Sequence, residues 1–263
     1  MQVLLLNISK GMQVLKKKAF GLALFVGGLA VGSLLSSLNP GMLHWDSRRE
    51  AREANAYWAK KIRDGGYILH FRHGHRNRYT TTPRTPETNV SAFDAAELAL
   101  GLKGENTGFG LVTCLTDEGK EEARLVGTTF RILNMSVSSI TSSPSCRARQ
   151  TAFYGFGTEG KILNSLLHRT SVMSNQSPDF NRNLKEYLMK LPIQTGKNAL
   201  LFGHVGTFGK SVIDVDETKK GGFSNRDDIG FIVIERVGEQ LIARHMFSHF
   251  NEFSQNAVKL PLN

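Results

Sequence analysis

Three short strand-like runs in this chain each lead into a cationic or imidazole side chain. That repetition limits the folds open to it more than any other feature. Tyr67-Ile68-Leu69-His70-Phe71 runs into Arg72-His73-Gly74-His75-Arg76. Val137-Ser138-Ser139-Ile140-Thr141-Ser142 runs into Ser143-Pro144-Ser145-Cys146-Arg147, and Asn198-Ala199-Leu200-Leu201-Phe202 into Gly203-His204. Runs of this length and composition predict buried strands. In an open α/β sheet, ligands bind in the crevice beyond the carboxyl ends of the strands. Arg72 with His73, Arg147 and His204 are therefore predicted to converge there. Guanidiniums and imidazoles gathered at one place suit a phosphate or another oxyanion. Gly74 lets the backbone turn and come close to a ligand. Pro144 suits the first turn of a helix that Ser142 or Ser143 would cap. Arg147 would then lie at the positive end of the helix dipole, where an anion is favoured.

Each cluster alone has a plainer reading. A basic group after a strand is often just a solvated loop. His70-x-x-His73-x-His75 also offers three imidazoles to a zinc ion, but no carboxylate or cysteine stands close by in sequence. Only the three strand ends together point to one site, and no metal is assigned.

The set resembles the histidine phosphatase superfamily, the phosphoglycerate-mutase-like fold. Arg72-His73-Gly74 matches that family's Arg-His-Gly motif. Ser142 to Ala152 matches its Ser-Ser-Pro-x-x-Arg-Ala-x-Gln-Thr-Ala motif, and Gly203-His204 its Gly-His strand end. Leu115-Thr116-Asp117-Glu118-Gly119 through Ala123 matches its helix start. All four occur in order over roughly residues 64 to 246. The resemblance implies a three-layer α/β/α sandwich with a mostly parallel central sheet. It also implies that His73 attacks a phosphomonoester to form a phosphohistidine. One ring nitrogen must then be free, with the other held by a hydrogen bond. Arg72, Arg147 and His204 would bind the phosphoryl oxygens and stabilise developing charge. Arg76 is a further phosphate-binding candidate, by likeness to the acid-phosphatase branch. His75 and Arg78 are read as rim residues. The scheme needs no cofactor.

The general acid is where the chain departs from the family. The acid-phosphatase branch carries a carboxylate directly after the second histidine, where this chain has Val205. The mutase-like branch has a Glu at the end of the strand after the arginine motif. That strand is predicted over Lys161 to Leu167, and it leads into His168, which is the donor candidate by position. Glu159 precedes the strand, at its wrong end. An insert over 79–113 carries Glu87, Asp94, Glu97 and Glu105, any of which could fold over the site. The reading is a phosphomonoester hydrolase. The alternatives are a phosphotransferase or mutase, or a weakly catalytic phosphate-binding member lacking the usual acid.

At 263 residues, less a leader, the chain can bury one full α/β core. Lys16-Lys17-Lys18 precede 19–38, twenty residues without a charge. That length can span a bilayer or serve as a signal core, and the lysines favour a domain outside the cytoplasm. The expected organisation is a basic leader 1–18, a membrane anchor or signal segment 19–38, and a catalytic domain 39–263. The domain is membrane-anchored or, after cleavage, secreted. Trp45 to Arg63 reads as a helix whose stripe of Trp45, Ala56, Trp58, Ala59 and Ile62 faces the core. Helices are also predicted over 116–134 and 178–190. Strands over Asp228–Arg236 and Gln240–Met246 form an edge hairpin, and Val215–Arg226 is a loop near His204. A net charge of +10, with four lysines in the leader, suits an anionic small-molecule or lipid-linked phosphomonoester. No basic run with interleaved aromatics points to nucleic acid. Cys114 and Cys146 lie at element starts on the active-site side, so a disulfide bracing Arg147 and a pair of buried thiols are both open.

Overall fold

The computed structural model describes residues 40–77, 93–94, 96–103, 105, 110–167, 178–208, 212–215 and 226–260. The leader, the apolar stretch 19–38, His168 and Arg78 lie outside the described residues. Among the described residues, no helix is long and apolar enough to cross a membrane. One compact unit runs from Ala54 to Asn263, and the residues up to Glu53 form another. Of that other unit, the beginning of helix α1 (Pro40–Asp64) is described. In the second unit α1 continues with Ala59 and Ile62 fully buried, whereas Ala56 is exposed rather than part of the stripe.

The second unit is built on a seven-stranded sheet of order β3-β2-β4-β1-β6-β7-β5. Its strands are β1 (Ile68–Arg72), β2 (Ser136–Ser142), β3 (Lys161–Ile162), β4 (Lys197–Gly203), β5 (Asp214–Val215), β6 (Phe231–Val237) and β7 (Gln240–Phe247). β3, β2, β4 and β1 run parallel, while β6 pairs antiparallel with both β1 and β7. The β6–β7 hairpin is not the edge, because β5 adds parallel to β7 outside it. β3 is much shorter than the sequence suggests. After Ile162, the turn-forming pair Asn164-Ser165 starts a 3-10 turn through Leu166. That turn still buries Leu166 and Leu167.

Apolar side chains cover both faces of the sheet, which is why β1 is buried along nearly its whole length. On one face Leu69, Phe71, Phe202, Phe231 and Phe247 pack under α2 (Asp117–Ile132), α3 (Cys146–Phe156) and α5 (Phe250–Ala257). On the other, Ile68, Ala199, Leu201, Ile232 and Ile234 meet Leu184, Leu188 and Leu191 in and after α4 (Pro178–Met189). This is the expected three-layer α/β/α arrangement. Helix α2 forms because Thr116 caps it, accepting the Gly119 N–H at 3.2 Å, with Asp117 and Glu118 in the first turn. Its Ala123, Val126 and Phe130 recur at helical spacing and face the core.

Candidate active site

Register brings the strand ends together. Arg72 pairs with Gly203, and the His73 N–H donates to the Gly203 carbonyl at 3.0 Å. The Ser143 N–H donates to the Phe202 carbonyl at 2.8 Å, so β1, β4 and β2 deliver their next residues to one row. The loop after β1 is then clamped from both sides. The Gly74 N–H donates to Thr151 Oγ1 at 3.0 Å, and that hydroxyl donates to the Arg147 carbonyl at 2.7 Å. The His75 N–H donates to a Glu122 carboxylate oxygen at 2.7 Å, and the His75 carbonyl accepts the Thr116 N–H at 3.1 Å. Burial pushes the Glu122 carboxyl above its ordinary range, against the opposing pull of that His75 N–H. A Cβ on Gly74 would stand 2.7 Å from the Gly119 carbonyl oxygen, and one on Gly119 would stand 2.1 Å from that of His75. Neither position has room for a side chain.

His73 is buried, with Nδ1 2.8 Å from the carbonyl oxygen of Gly74. A carbonyl only accepts, so Nδ1 carries the proton and Nε2 the lone pair. Burial, then the guanidinium charges of Arg147 and Arg72, hold the imidazole well below its ordinary pKa; the Gly74 bond opposes this and Arg76 adds to it. The ring is neutral at neutral pH, with a nucleophilic nitrogen among cations. The His204 ring lies 5.4 Å away, edge-on.

Arg147 occupies the first turn of α3, as the spacing predicts. Its cap, however, is Ser145 rather than Ser142 or Ser143, and the Ser145 side chain makes no capping bond. Ser143 Oγ and Ser145 Oγ instead each lie 3.1 Å from His204 Nε2. Arg147 Nη2 is 3.4 Å from His204 Nδ1. Because arginine only donates, Nδ1 is the accepting nitrogen and Nε2–H faces the serines. The end of the Arg147 guanidinium holds Asp94, with Nη1 donating to Oδ1 at 2.9 Å and Nη2 to Oδ2 at 2.7 Å. Both side chains are almost wholly buried. The Arg147 Nε–H has no protein partner among the described residues.

Arg72 donates to the Arg226 carbonyl at 2.6 Å and pairs with Asp228 at 3.2 Å. Arg226, which the strand-end pattern does not single out, is buried beside the site. It donates to the His70 carbonyl at 2.8 Å and to the His204 carbonyl at 3.3 Å. Burial and the Arg72 charge pull its pKa down to about 9, which leaves it cationic at neutral pH.

The structure thus brings Arg72, His73, Arg147 and His204 to one place. Arg76 is buried near enough to act on His73, and donates to the Asn77 carbonyl at 3.2 Å. The three imidazoles of the His70–His75 stretch do not form a zinc site. His70 Nδ1 faces Arg226 at 3.2 Å, and His75 Nδ1 faces Thr116 Oγ1 at 2.8 Å. Cys114 and Cys146 are joined by a disulfide, linking the residue after the helical turn Gly110–Thr113 to the first residue of α3. Glu105 lies beside that bond, but two cysteines so joined offer no thiolate to a metal. Glu159 is held by Arg149 at 2.8 Å, at the start of β3.

No protein-family model matches the sequence, and neither does any curated protein. Solved structures with a similar chain trace include the protein histidine phosphatase SixA complexed with tungstate. It is 14% identical with a TM-score of 0.44, covering 68% of this chain and 95% of its own. The alpha-ribazole phosphatase of Shigella flexneri is 16% identical with a TM-score of 0.41, covering 68% and 95%. A phosphoserine phosphatase mutant of Entamoeba histolytica, in complex with phosphoserine, is 15% identical with a TM-score of 0.38, covering 72% and 98%.

Proposed function

We propose that this chain is a phosphomonoester hydrolase that works through a phosphohistidine on His73. The observation carrying this reading is the buried, neutral imidazole whose Nδ1 is tied to the Gly74 carbonyl while Arg72 and Arg147 surround it. A phosphoryl group drawn to the arginines meets the Nε2 lone pair. Attack forms a P–N bond as the P–O bond to the leaving alcohol breaks. The guanidiniums offset the charge on the equatorial oxygens, and His204 borders the same position. Water then attacks the phosphohistidine, the P–N bond breaks, and phosphate leaves.

The disulfide supports an oxidising compartment, and the lysines before 19–38 favour a domain outside the cytoplasm. The substrate class we propose is a small or lipid-linked phosphomonoester met there. Protease accessibility in intact cells tests the placement. Incubating the chain with nitrophenyl phosphate, a good leaving group, tests the chemistry. Turnover is expected and should vanish in His73→Ala; equal background rates in the two would refute the catalytic reading. An added alcohol that emerges phosphorylated would favour a phosphotransferase instead.

A further inference from the structure

We propose that Asp94 is the proton donor to the leaving alcohol, held in place by Arg147, and the base for the water that follows. This rests on the phosphohistidine reading above and supplies the acid that the family's usual positions lack. The guanidinium of Arg147 has two hydrogen-bonding edges. Its end-on edge, Nη1 and Nη2, is filled by the two Asp94 oxygens at 2.9 and 2.7 Å. On its side-on edge, Nε–H is buried without a partner among the described residues, and His204 Nδ1 approaches the shared Nη2 at 3.4 Å. A phosphoryl oxygen on the side-on edge completes the donor set of Arg147. It also puts the phosphoryl group and the Asp94 carboxylate on adjacent edges of one guanidinium.

Among the described residues, the other nearby carboxylates hold groups other than the Arg147 guanidinium. Glu97 accepts from Thr113 Oγ1 at 3.2 Å, Glu105 and Glu159 hold Arg149, and Glu122 holds the His75 N–H. The rival is Asp228, which touches Arg72. Its neighbour Ile229, however, donates to the His73 carbonyl at 3.3 Å, which ties Asp228 to the nucleophile's own side of the seat. In-line displacement expels the leaving oxygen on the side opposite the attacking nitrogen. Asp94 lies outside the strands of the sheet and meets the guanidinium of Arg147, not that of Arg72.

The protons balance through the cycle. A phosphomonoester monoanion brings one proton, since its second ionisation lies near pH 6. Passing that proton to Asp94 leaves the dianion to the arginines and a carboxyl beside the leaving oxygen. When the P–O bond breaks, its electron pair takes the Asp94 proton and the alcohol departs. The Asp94 carboxylate then takes a proton from the attacking water. As the P–N bond breaks, its electron pair returns to His73 Nε2; the freed phosphate takes the proton back from Asp94 and leaves as the monoanion, which restores the carboxylate.

A residue that merely positions Arg147 would affect all esters alike, whereas a proton donor matters most where the leaving group is poor. The test compares wild type with Asp94→Asn on glycerol phosphate and on dinitrophenyl phosphate. kcat/KM should fall at least about 100-fold on glycerol phosphate, the scale of lost general-acid catalysis, and less than about 5-fold on dinitrophenyl phosphate. Dinitrophenolate should then appear as a burst, because dephosphorylation has lost its base. Inhibition by inorganic phosphate, with Asp94→Glu as a carboxyl-retaining control that recovers part of the glycerol phosphate rate, reports an intact seat. An equal fall on both esters, no fall on glycerol phosphate, or the selective loss appearing in Asp228→Asn instead would overturn the assignment. If Asp94→Asn does not fold, Asp94→Glu carries the same comparison against wild type, with an unaltered glycerol phosphate to dinitrophenyl phosphate ratio as the contrary result. Failure of the phosphohistidine reading is separate: it would appear as dinitrophenyl phosphate turnover that survives His73→Ala.

Discussion

His73 Nδ1 stands 2.8 Å from the carbonyl oxygen of the very next residue, Gly74. That short-range bond fixes the tautomer, and it holds only because the loop carrying both groups is pinned between α2 and α3. Gly74 is bound by Thr151 of α3, and His75 by Glu122 of α2. The nucleophile is therefore oriented by backbone geometry that the two glycine contacts and the helix starts enforce together.

The first expectation concerns pH. Burial and the arginines hold His73 well below its ordinary value, and burial with Arg226 does the same to His70. In the folded chain both rings stay neutral while the unfolded chain takes up protons below about pH 6.5. Unfolding then binds protons, so stability falls as pH drops from about 6.5 toward the lower folded values. The acid limb of kcat/KM should likewise lie below pH 6.5, where ordinary histidines would titrate. Urea midpoints and pH–rate profiles measure the two effects. An acid limb at or above 6.5 would mean that His73 is not the neutral group described.

Arg147 makes a bidentate pair that a lysine cannot reproduce. Arg147→Lys should lower kcat/KM for an aryl phosphate by about 100- to 1,000-fold, the range for one lost transition-state donor. It should also weaken inhibition by inorganic phosphate. Arg147→Ala would in addition leave the buried Asp94 carboxylate without its counter-ion, at a cost of about 3–5 kcal/mol. Thermal melts of the two variants separate the stability cost from the catalytic one.

The disulfide closes a loop between residues 32 apart in sequence. On the chain-entropy account, a loop of that length contributes about 3–4 kcal/mol. It also ties the start of α3, and so Arg147, to the turn whose Thr113 carbonyl Arg147 approaches at 3.5 Å. Reductant should lower the melting temperature and weaken phosphate binding, and a C114S/C146S double variant should behave like the reduced chain and ignore reductant. Two thiols reacting under denaturing conditions without reductant would exclude the bond.

The strand ends were legible because β1 and β4 are short and largely apolar and β2 is rich in β-branched residues and serine, and each is followed by a cationic or imidazole residue. Helix α2 was legible from Thr116 and the acidic first turn. What escaped depends on distance along the chain. Asp94 was one of four insert carboxylates that could fold over the site, but its meeting with Arg147 spans 53 residues and that of Arg226 with His70 spans 156, and no local pattern encodes contacts of that separation. Ser145 was hidden for the opposite reason. Three serines near one helix start can all cap it, and only the position of His204 decides which hydroxyls turn away. β3 is cut short where its neighbour ends: the Leu163 N–H still donates at 2.9 Å to the carbonyl of Ser142, the last residue of β2, and the chain then turns.

Trapping the intermediate tests the central claim most directly. The chain is mixed with excess nitrophenyl phosphate and quenched in alkaline detergent, in which a phosphohistidine survives. The phosphate is then located by mass spectrometry. The expected result is up to one phosphate per chain on the peptide bearing His73, and none in His73→Ala. Steady turnover with no label on His73, or with the label on another residue, would contradict the account.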